Sequence, residues 1–112
     1  MKHSIKIENN KFRLIYNDHA RFRFGQFGGN LNALLSIPGQ DYYQTILLIW
    51  AGLDEAGRKR FPAPSLLVDH IPYSIHDDSA TAIDWPEAIS KNIIEPAFQA
   101  VADAGWLKLA DQ

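Results

Sequence analysis

The chain has 112 residues, no cysteine, and 13 acidic against 11 basic side chains, giving a formal net charge of −2. Without cysteine, the chain cannot form disulfides, a thiolate nucleophile or a Cys-ligated zinc site. The nearly balanced charge argues against nucleic-acid binding driven by bulk positive charge. With 46% hydrophobic and 21% charged residues, the composition is typical of one soluble globular domain, spanning 1–112, that can bury a core.

The first ten residues, MKHSIKIENN, lack the apolar stretch of a secretory signal peptide. We therefore expect the protein to reside in the cytoplasm. The longest apolar run of the chain, at 46–51, is far shorter than the roughly 20 residues that span a bilayer. The sequence thus predicts no association with a membrane.

Two short runs with alternating apolar residues open the chain, at 4–8 and 11–16, with Asn9 and Asn10 between them. The residues that share the apolar face are Ile5, Ile7, Phe12, Leu14 and Tyr16. Because Asn tolerates the positive φ of a tight turn, the pattern predicts a two-stranded hairpin with a type I′ turn at Asn9-Asn10. Two strands alone are marginally stable, so we expect this hairpin to pack against helices.

Two short helical segments follow the hairpin. Asn17 and Asp18 offer an N-cap for a helix at 20–27, which the glycines at 28–29 should end. The apolar patch at 31–37 predicts one or two further helical turns, closed by Pro38-Gly39.

The segment at 41–53, DYYQTILLIWAGL, is the clearest predicted helix. Its apolar residues at 43, 46, 47 and 50 have the i, i+3, i+4, i+7 spacing of one helical face, and apolar residues also fill the other side. Asp41 is the predicted N-cap, and Gln44 is placed for a capping box. A helix that is apolar nearly all round must be covered on several faces, by its own chain or by a partner.

The middle of the chain is less regular. Residues 54–63 contain a basic run, a glycine and a proline, and we interpret them as a polar connection. A short helix is predicted at 64–71, entered through prolines and ended before Pro72. Residues 73–82 are predicted to form a loop.

A longer helix is predicted after this loop, ending at Gly105. Asp84 and Glu87 have the spacing of a capping box. Pro96 should bend the helix near Asn92, because proline removes one backbone hydrogen bond and clashes with the preceding turn. The whole chain is thus predicted to have an α+β fold: a two-stranded hairpin at 1–16, a bundle of about four to five helices at 17–105, and a tail at 106–112.

Enzyme signatures are missing from the sequence. The glycine cluster at 25–29 reads G-Q-F-G-G, which matches neither a P-loop nor a dinucleotide-binding loop. None of the serines lies in a nucleophile-elbow pattern. We therefore expect no catalytic residues, no cofactor and no enzymatic activity.

Four residues in short range carry metal-ligand chemistry: His70, His76, Asp77 and Asp78. Their spacing matches no established metal motif, and the aspartate pair is typical of a turn or a helix cap. We expect no bound metal. A small enzyme or metal-binding regulator that uses His70, His76 and Asp77 is kept as an alternative.

Basic and aromatic residues alternate at 21–24, and a second basic run lies at 58–60. Arginines beside phenylalanines could contact phosphates and stack on bases. Their alternation within an amphipathic helix fits packing better, so we expect no nucleic-acid partner.

The order of elements carries a further clue, in the strand pair IKIENNKFRLIY, the capped helix NDHARFRFGQFGG, the patch LNALLSI and the run LLIWAGL. In these features the chain resembles the tail assembly chaperones of long-tailed bacteriophages and of related prophages and gene-transfer agents. LLIWAGL is similar to the family's "llwaGL" helix end. PSLLVDHIP and DWPEAISKNIIEPAFQAVADAG are similar to the short helix and the closing helix that follow it.

The resemblance implies a non-enzymatic function. Such chaperones act in the host cytoplasm, bind the apolar, helix-forming tape measure protein, keep it soluble, and help recruit tail tube subunits. A chaperone of this kind should also tend to self-associate into a homo-oligomer. Since aromatic anchors dominate such interfaces, the predicted partner-binding residues are Phe24, Phe27, Tyr42, Tyr43, Trp106 and Leu107. The alternative within the same setting is a structural tail-completion or head-tail adaptor protein of a phage or prophage particle.

Overall fold

The computed structural model describes residues 3–36, 41–72, 74–75 and 83–106. Strand β1 (His3–Ile7) and strand β2 (Asn10–Leu14) form an antiparallel hairpin, and helices follow it. The α+β fold predicted from the sequence is therefore confirmed. The apolar face of the hairpin is buried in the core, as its alternating pattern predicts.

The hairpin turn lies one residue earlier than predicted. Ile7 pairs with Asn10, so the two turn residues are Glu8 and Asn9. Glu8 has a φ of 57° and is the only non-glycine residue with positive φ in the described part of the chain. A type I′ turn needs positive φ at both central residues, so that prediction was wrong. Apolar alternation has a period of two residues, and both registers satisfy it.

Helix α1 (Asp18–Gln26) begins two residues before the predicted start at 20, and it is capped as predicted, because the Asn17 side chain accepts a hydrogen bond from the Ala20 amide at 2.9 Å. It ends at a glycine pair. Gly28 has a φ of 89°, and the amides of Gly28 and Gly29 donate back to carbonyls of the last helical turn. This Schellman arrangement satisfies carbonyls that the helix leaves unpaired. Helix α2 (Leu31–Ser36) follows directly.

Helix α3 (Tyr42–Gly52) is the centre of the fold. Asp41 caps it by accepting from the Gln44 amide at 3.1 Å, and every residue at 45–52 is buried. The hairpin and α1 contact it, and so do a 3₁₀ helix at Pro64–His70 and a C-terminal helical segment at 87–103. The helix that the sequence predicted at this position is confirmed.

The hairpin is joined to the end of α3 through the backbone. The Ile15 amide donates to the Gly52 carbonyl at 2.7 Å, and the Asp54 amide donates to the Arg13 carbonyl at 3.1 Å. Strand β2 thus continues into an isolated bridge with the residue that follows α3. The edge of a marginal two-stranded ribbon is in this way partly paired.

A short helix replaces the polar connection expected at 54–63. Helix α4 (Glu55–Arg60) begins after Asp54, whose Oδ1 accepts from the Gly57 amide at 2.9 Å. Its first turn is acidic and its last turn is basic, a distribution that the helix dipole favours. The cap and this charge order outweigh the cost of a glycine within the helix.

The chain then forms the 3₁₀ helix Pro64–His70, at the position where a short helix was predicted. Two very short strands follow, β3 (Ser74–Ile75) and β4 (Ile83–Asp84), which pair with each other. The sequence predicted neither strand. The rest of the loop predicted at 73–82 lies outside the described residues.

The C-terminal helical segment consists of α5 (Glu87–Ile89), a π-helical turn (Ser90–Ile94) and α6 (Glu95–Asp103). The predicted capping box at Asp84 does not form, because Asp84 belongs to β4 and the helix starts after Pro86 without a side-chain cap. The π turn lies where Pro96 was predicted to disturb the helix. A proline lacks the amide that would bond to the carbonyl four residues earlier.

Candidate partner-binding surface

The end of α1 and the start of α3 meet at an edge that carries two of the predicted anchors. Tyr43 is 50% exposed and Phe27 is 42% exposed. The Tyr43 hydroxyl donates to the Phe27 carbonyl at 2.8 Å. These two residues are called the aromatic edge below.

Hydrogen bonds and a ring contact on the core side hold the aromatic edge in place. The Gln44 side chain donates from Nε2 to the Gly28 carbonyl at 3.0 Å and accepts from the Asn30 amide at 2.6 Å. The Phe27 ring lies edge-on to the Trp50 ring, with 4.8 Å between centroids. One side of the edge is therefore fixed to the core while the other faces solvent.

A cleft of about 470 Å³ lies beside the aromatic edge, between α1 and the start of α2. It is open to solvent and has mixed polar and apolar walls. Its lining residues are Arg21, Phe24, Gly25, Gly28, Gly29, Asn30, Leu31 and Asn32. Gly28 and Asn30 also bind the Gln44 side chain, so the cleft and the edge share the same backbone support.

The structure does not bring all predicted anchors to this surface. Phe24 is 3% exposed and belongs to the hydrophobic core, so its side chain is not available on the surface. Trp106 is half-buried and packs edge-on to the Tyr16 ring at 5.2 Å. Leu107 lies outside the described residues.

Tyr42 is also held within the fold. Its hydroxyl donates to the Ile71 carbonyl at 3.0 Å and lies 3.2 Å from the Val68 carbonyl, and its ring stacks on Trp85 at 5.9 Å. Of the six predicted residues, Phe27 and Tyr43 are the two whose described side chains are largely exposed.

Exposed apolar residues also occur where the sequence did not place them. Phe22 is 67% exposed, and Ile15, Leu66 and Val68 are exposed as well. Phe22 lies two positions from buried Ala20, which puts it on the opposite side of α1. The helical spacing alone could have identified Phe22 as solvent-facing.

The candidate metal residues are only partly described. His70 Nδ1 lies 2.8 Å from Glu8 Oε2, which ties the 3₁₀ helix to the hairpin turn. His76, Asp77 and Asp78 fall outside the described ranges. Within those ranges, no group of three or more His, Cys, Asp or Glu residues is arranged to hold a metal ion.

The basic residues that were considered for nucleic-acid contact make contacts within the fold. The Arg21 guanidinium lies over the Trp106 ring at 5.7 Å, and the Arg60 guanidinium lies over the Phe61 ring at 5.2 Å. Arg23 donates to the Ala51 carbonyl at 2.9 Å.

Among the described helices, none has the length and apolar character required to cross a bilayer. No protein-family model, curated protein or solved structure matches this chain.

Proposed function

We propose that this protein is a tail assembly chaperone of a long-tailed phage or prophage. In this role it binds the tape measure protein in the host cytoplasm, keeps it soluble during tail morphogenesis, helps recruit tail tube subunits, and catalyses no reaction. The observation that carries the proposal is the aromatic edge, a preorganised pair of half-exposed aromatic side chains on a hairpin-and-helix fold.

The chemistry of the edge suits an amphipathic client helix. Aromatic side chains that are already held in place lose little conformational freedom on binding, and they dominate the energy of many interfaces. A client helix could lay apolar residues spaced i, i+3 and i+4 against Phe27 and Tyr43. Its neighbouring side chains would then enter the cleft beside the edge.

The small size of the edge suits release as well as binding. Stable protein interfaces bury about 800 Å² on each partner, which is far more than two half-exposed side chains and a shallow cleft supply. A single edge therefore supports reversible binding, and a homo-oligomer that presents several edges to one long client would bind it more tightly than a single copy does. This fits a factor that leaves the finished tail.

The test is co-expression with the tape measure protein encoded in the same gene cluster. We expect the tape measure protein to move from the insoluble to the soluble fraction and to co-purify with this chain. If it stays insoluble and no complex forms, the proposal is overturned. Mass spectrometry of purified particles separates the alternative: a chaperone should be missing from the particle, whereas a structural adaptor should be present in it.

A further inference from the structure

A second pocket, of about 390 Å³, lies between the starts of α1 and α4. Its lining residues are Ile15, Asn17, His19, Arg23, Leu53, Asp54, Glu55 and Arg58. It shares no lining residue with the cleft at the aromatic edge. Two guanidinium groups converge in this pocket from different helices.

Each guanidinium is positioned by one contact with the end of α3. Arg23 Nη2 donates to the Ala51 carbonyl at 2.9 Å, and Arg58 Nη1 donates to the Leu53 carbonyl at 2.8 Å. Positive charge is favourable at the C-terminal end of a helix, which explains these two contacts. A guanidinium has five N–H donors, and each of these two contacts uses one of them.

Neither arginine forms an ion pair with a carboxylate in the described part of the chain. Arg23 Nε is buried and has no hydrogen-bond partner among the described atoms. Burial and the positive charge of Arg58 both lower the pKa of Arg23. The two cations thus lie near each other, and the two carboxylates of the pocket are not within ion-pair distance of either one.

The two carboxylates of the pocket are engaged elsewhere. Asp54 Oδ1 accepts from the Gly57 amide at 2.9 Å, and Asp54 Oδ2 accepts from the Arg13 amide at 3.3 Å. Glu55 faces Lys59 at 4.0 Å on the surface of α4. Asp54 and Glu55 therefore do not bond to the guanidinium donors, but their negative charge still repels an anionic ligand.

We propose that this pocket binds a carboxylate group, with Arg23 and Arg58 as the principal ligands. A planar guanidinium fork matches a carboxylate in two parallel hydrogen bonds. Asn17 adds an amide donor, because its oxygen already accepts from Ala20 and its Nδ2 stays available. A phosphate group carries a charge of about −1.5 to −2 at neutral pH, so Asp54 and Glu55 would repel it more strongly than a singly charged carboxylate.

The carboxylate could belong to an acidic side chain of a protein partner or to a small free acid. Both sources present the same group to the two arginines. The inference does not depend on the chaperone role, since the pocket and the aromatic edge are separate surfaces.

The test is an NMR titration of the full chain with propionate, with the neutral isostere propionamide as the matched ligand control. Propionate should produce saturable shifts in the side-chain N–H signals of Arg23 and Arg58 and in amides at 17–23 and 54–58. Propionamide should not. Equal responses to the two compounds, or no response to propionate, would overturn the site without any variant being needed.

Two substitutions in α4 then test which arginine binds the carboxylate. Arg58→Gln should weaken propionate binding about 10-fold or more, because it removes a charge-assisted pair of hydrogen bonds. Arg60→Gln makes the same change in net charge, but Arg60 lies over Phe61 rather than in the pocket, so affinity should be unchanged. Equal loss in both variants would contradict the assignment, provided that thermal melting shows both to be folded.

A final arm identifies the source of the carboxylate. A capped peptide with one glutamate is compared with propionate and with the same peptide carrying glutamine. Tighter binding of the glutamate peptide supports an acidic protein partner, and binding no tighter than propionate supports a small free acid. Equal binding of the glutamate and glutamine peptides, together with no response to propionate, rejects the site.

Discussion

The body of α3 and its first turn differ sharply in how their side chains are used. Every residue at 45–52 is buried, and the apolar side chains of that stretch contact the hairpin and the surrounding helices. In the first turn, Tyr43 is half exposed and Gln44 reaches across to the end of α1. One helix thus provides both the centre of the core and one side of the aromatic edge, and a substitution should cost much more stability in the first part than in the second.

The largest expected effect comes from removing a side chain in the body of α3. Leu48→Ala should lower the free energy of unfolding by about 2–5 kcal/mol, because it deletes buried methyl groups and leaves a cavity. Tyr43→Ala, in the same helix, should cost about 1 kcal/mol, since it removes an exposed ring and one hydrogen bond. Urea unfolding of both variants checks the contrast, which similar losses would contradict.

A smaller effect should follow from adding a methyl group at the end of the same helix. A Cβ at Gly52 would clash with the Tyr16 ring, so Gly52→Ala should destabilise the fold by about 1–3 kcal/mol through overpacking. A Cβ at Gly25 in α1 would meet nothing within 4 Å apart from its chain neighbours and the backbone of its own helix, and Gly25→Ala should stabilise the fold by about 0.5–1 kcal/mol. Thermal melting of the two variants gives the sign of each stability change. An unchanged melting temperature for Gly52→Ala would show that the Tyr16 ring can move aside.

Tyr16 should also make the fold sensitive to alkaline pH. Its hydroxyl donates to the Leu48 carbonyl at 2.9 Å, and burial raises its pKa above the usual value of about 10. The unfolded chain therefore releases this proton first, so the stability contributed by the neutral phenol is present below about pH 10 and is lost as pH rises further. Melting temperatures between about pH 8 and about pH 11 should fall more steeply for the wild type than for Tyr16→Phe. Parallel curves would argue against a buried hydroxyl.

The smallest effect concerns a polar atom inside α3. The Thr45 hydroxyl is buried and has no hydrogen-bond partner among the described atoms. Thr45→Val keeps the branched shape and removes an unsatisfied group, so it should stabilise the protein by about 1 kcal/mol. A loss of stability in urea unfolding would mean that the hydroxyl does have a partner.

Much of the fold was readable from apolar spacing. The all-round apolar run at 46–51 predicted the central helix, and the alternation around Ile5 and Phe12 predicted the hairpin. The turn position was not readable, because a shift of the register by two residues preserves the same buried face. Helix α4 was missed because Gly57 and the basic run are typical of a loop. The Asp54 cap and the acidic-to-basic order of charges along the segment support the helix.

The candidate sites depended on contacts that are distant in sequence. Phe24 and Phe27 are three positions apart and share one side of this segment, but Phe24 is buried in the core beside Trp106, whereas Phe27 rests edge-on against Trp50 and stays 42% exposed. Arg23 and Arg58 are 35 positions apart, and only the packing of α1 and α4 around the end of α3 brings them to one pocket. No local pattern could have predicted that pocket.

If a client binds the aromatic edge, substitutions at Phe27 and Tyr43 should prevent its capture. Phe22, an exposed phenylalanine of α1 outside the edge, serves as the control. Phe27→Ser with Tyr43→Ser should abolish co-purification of the tape measure protein while the chain stays folded by circular dichroism. Phe22→Ser, which alters a more exposed aromatic on the opposite side of α1, should leave co-purification intact. Undiminished capture by the folded double variant, or equal loss in Phe22→Ser, would contradict the assignment of this edge to the client.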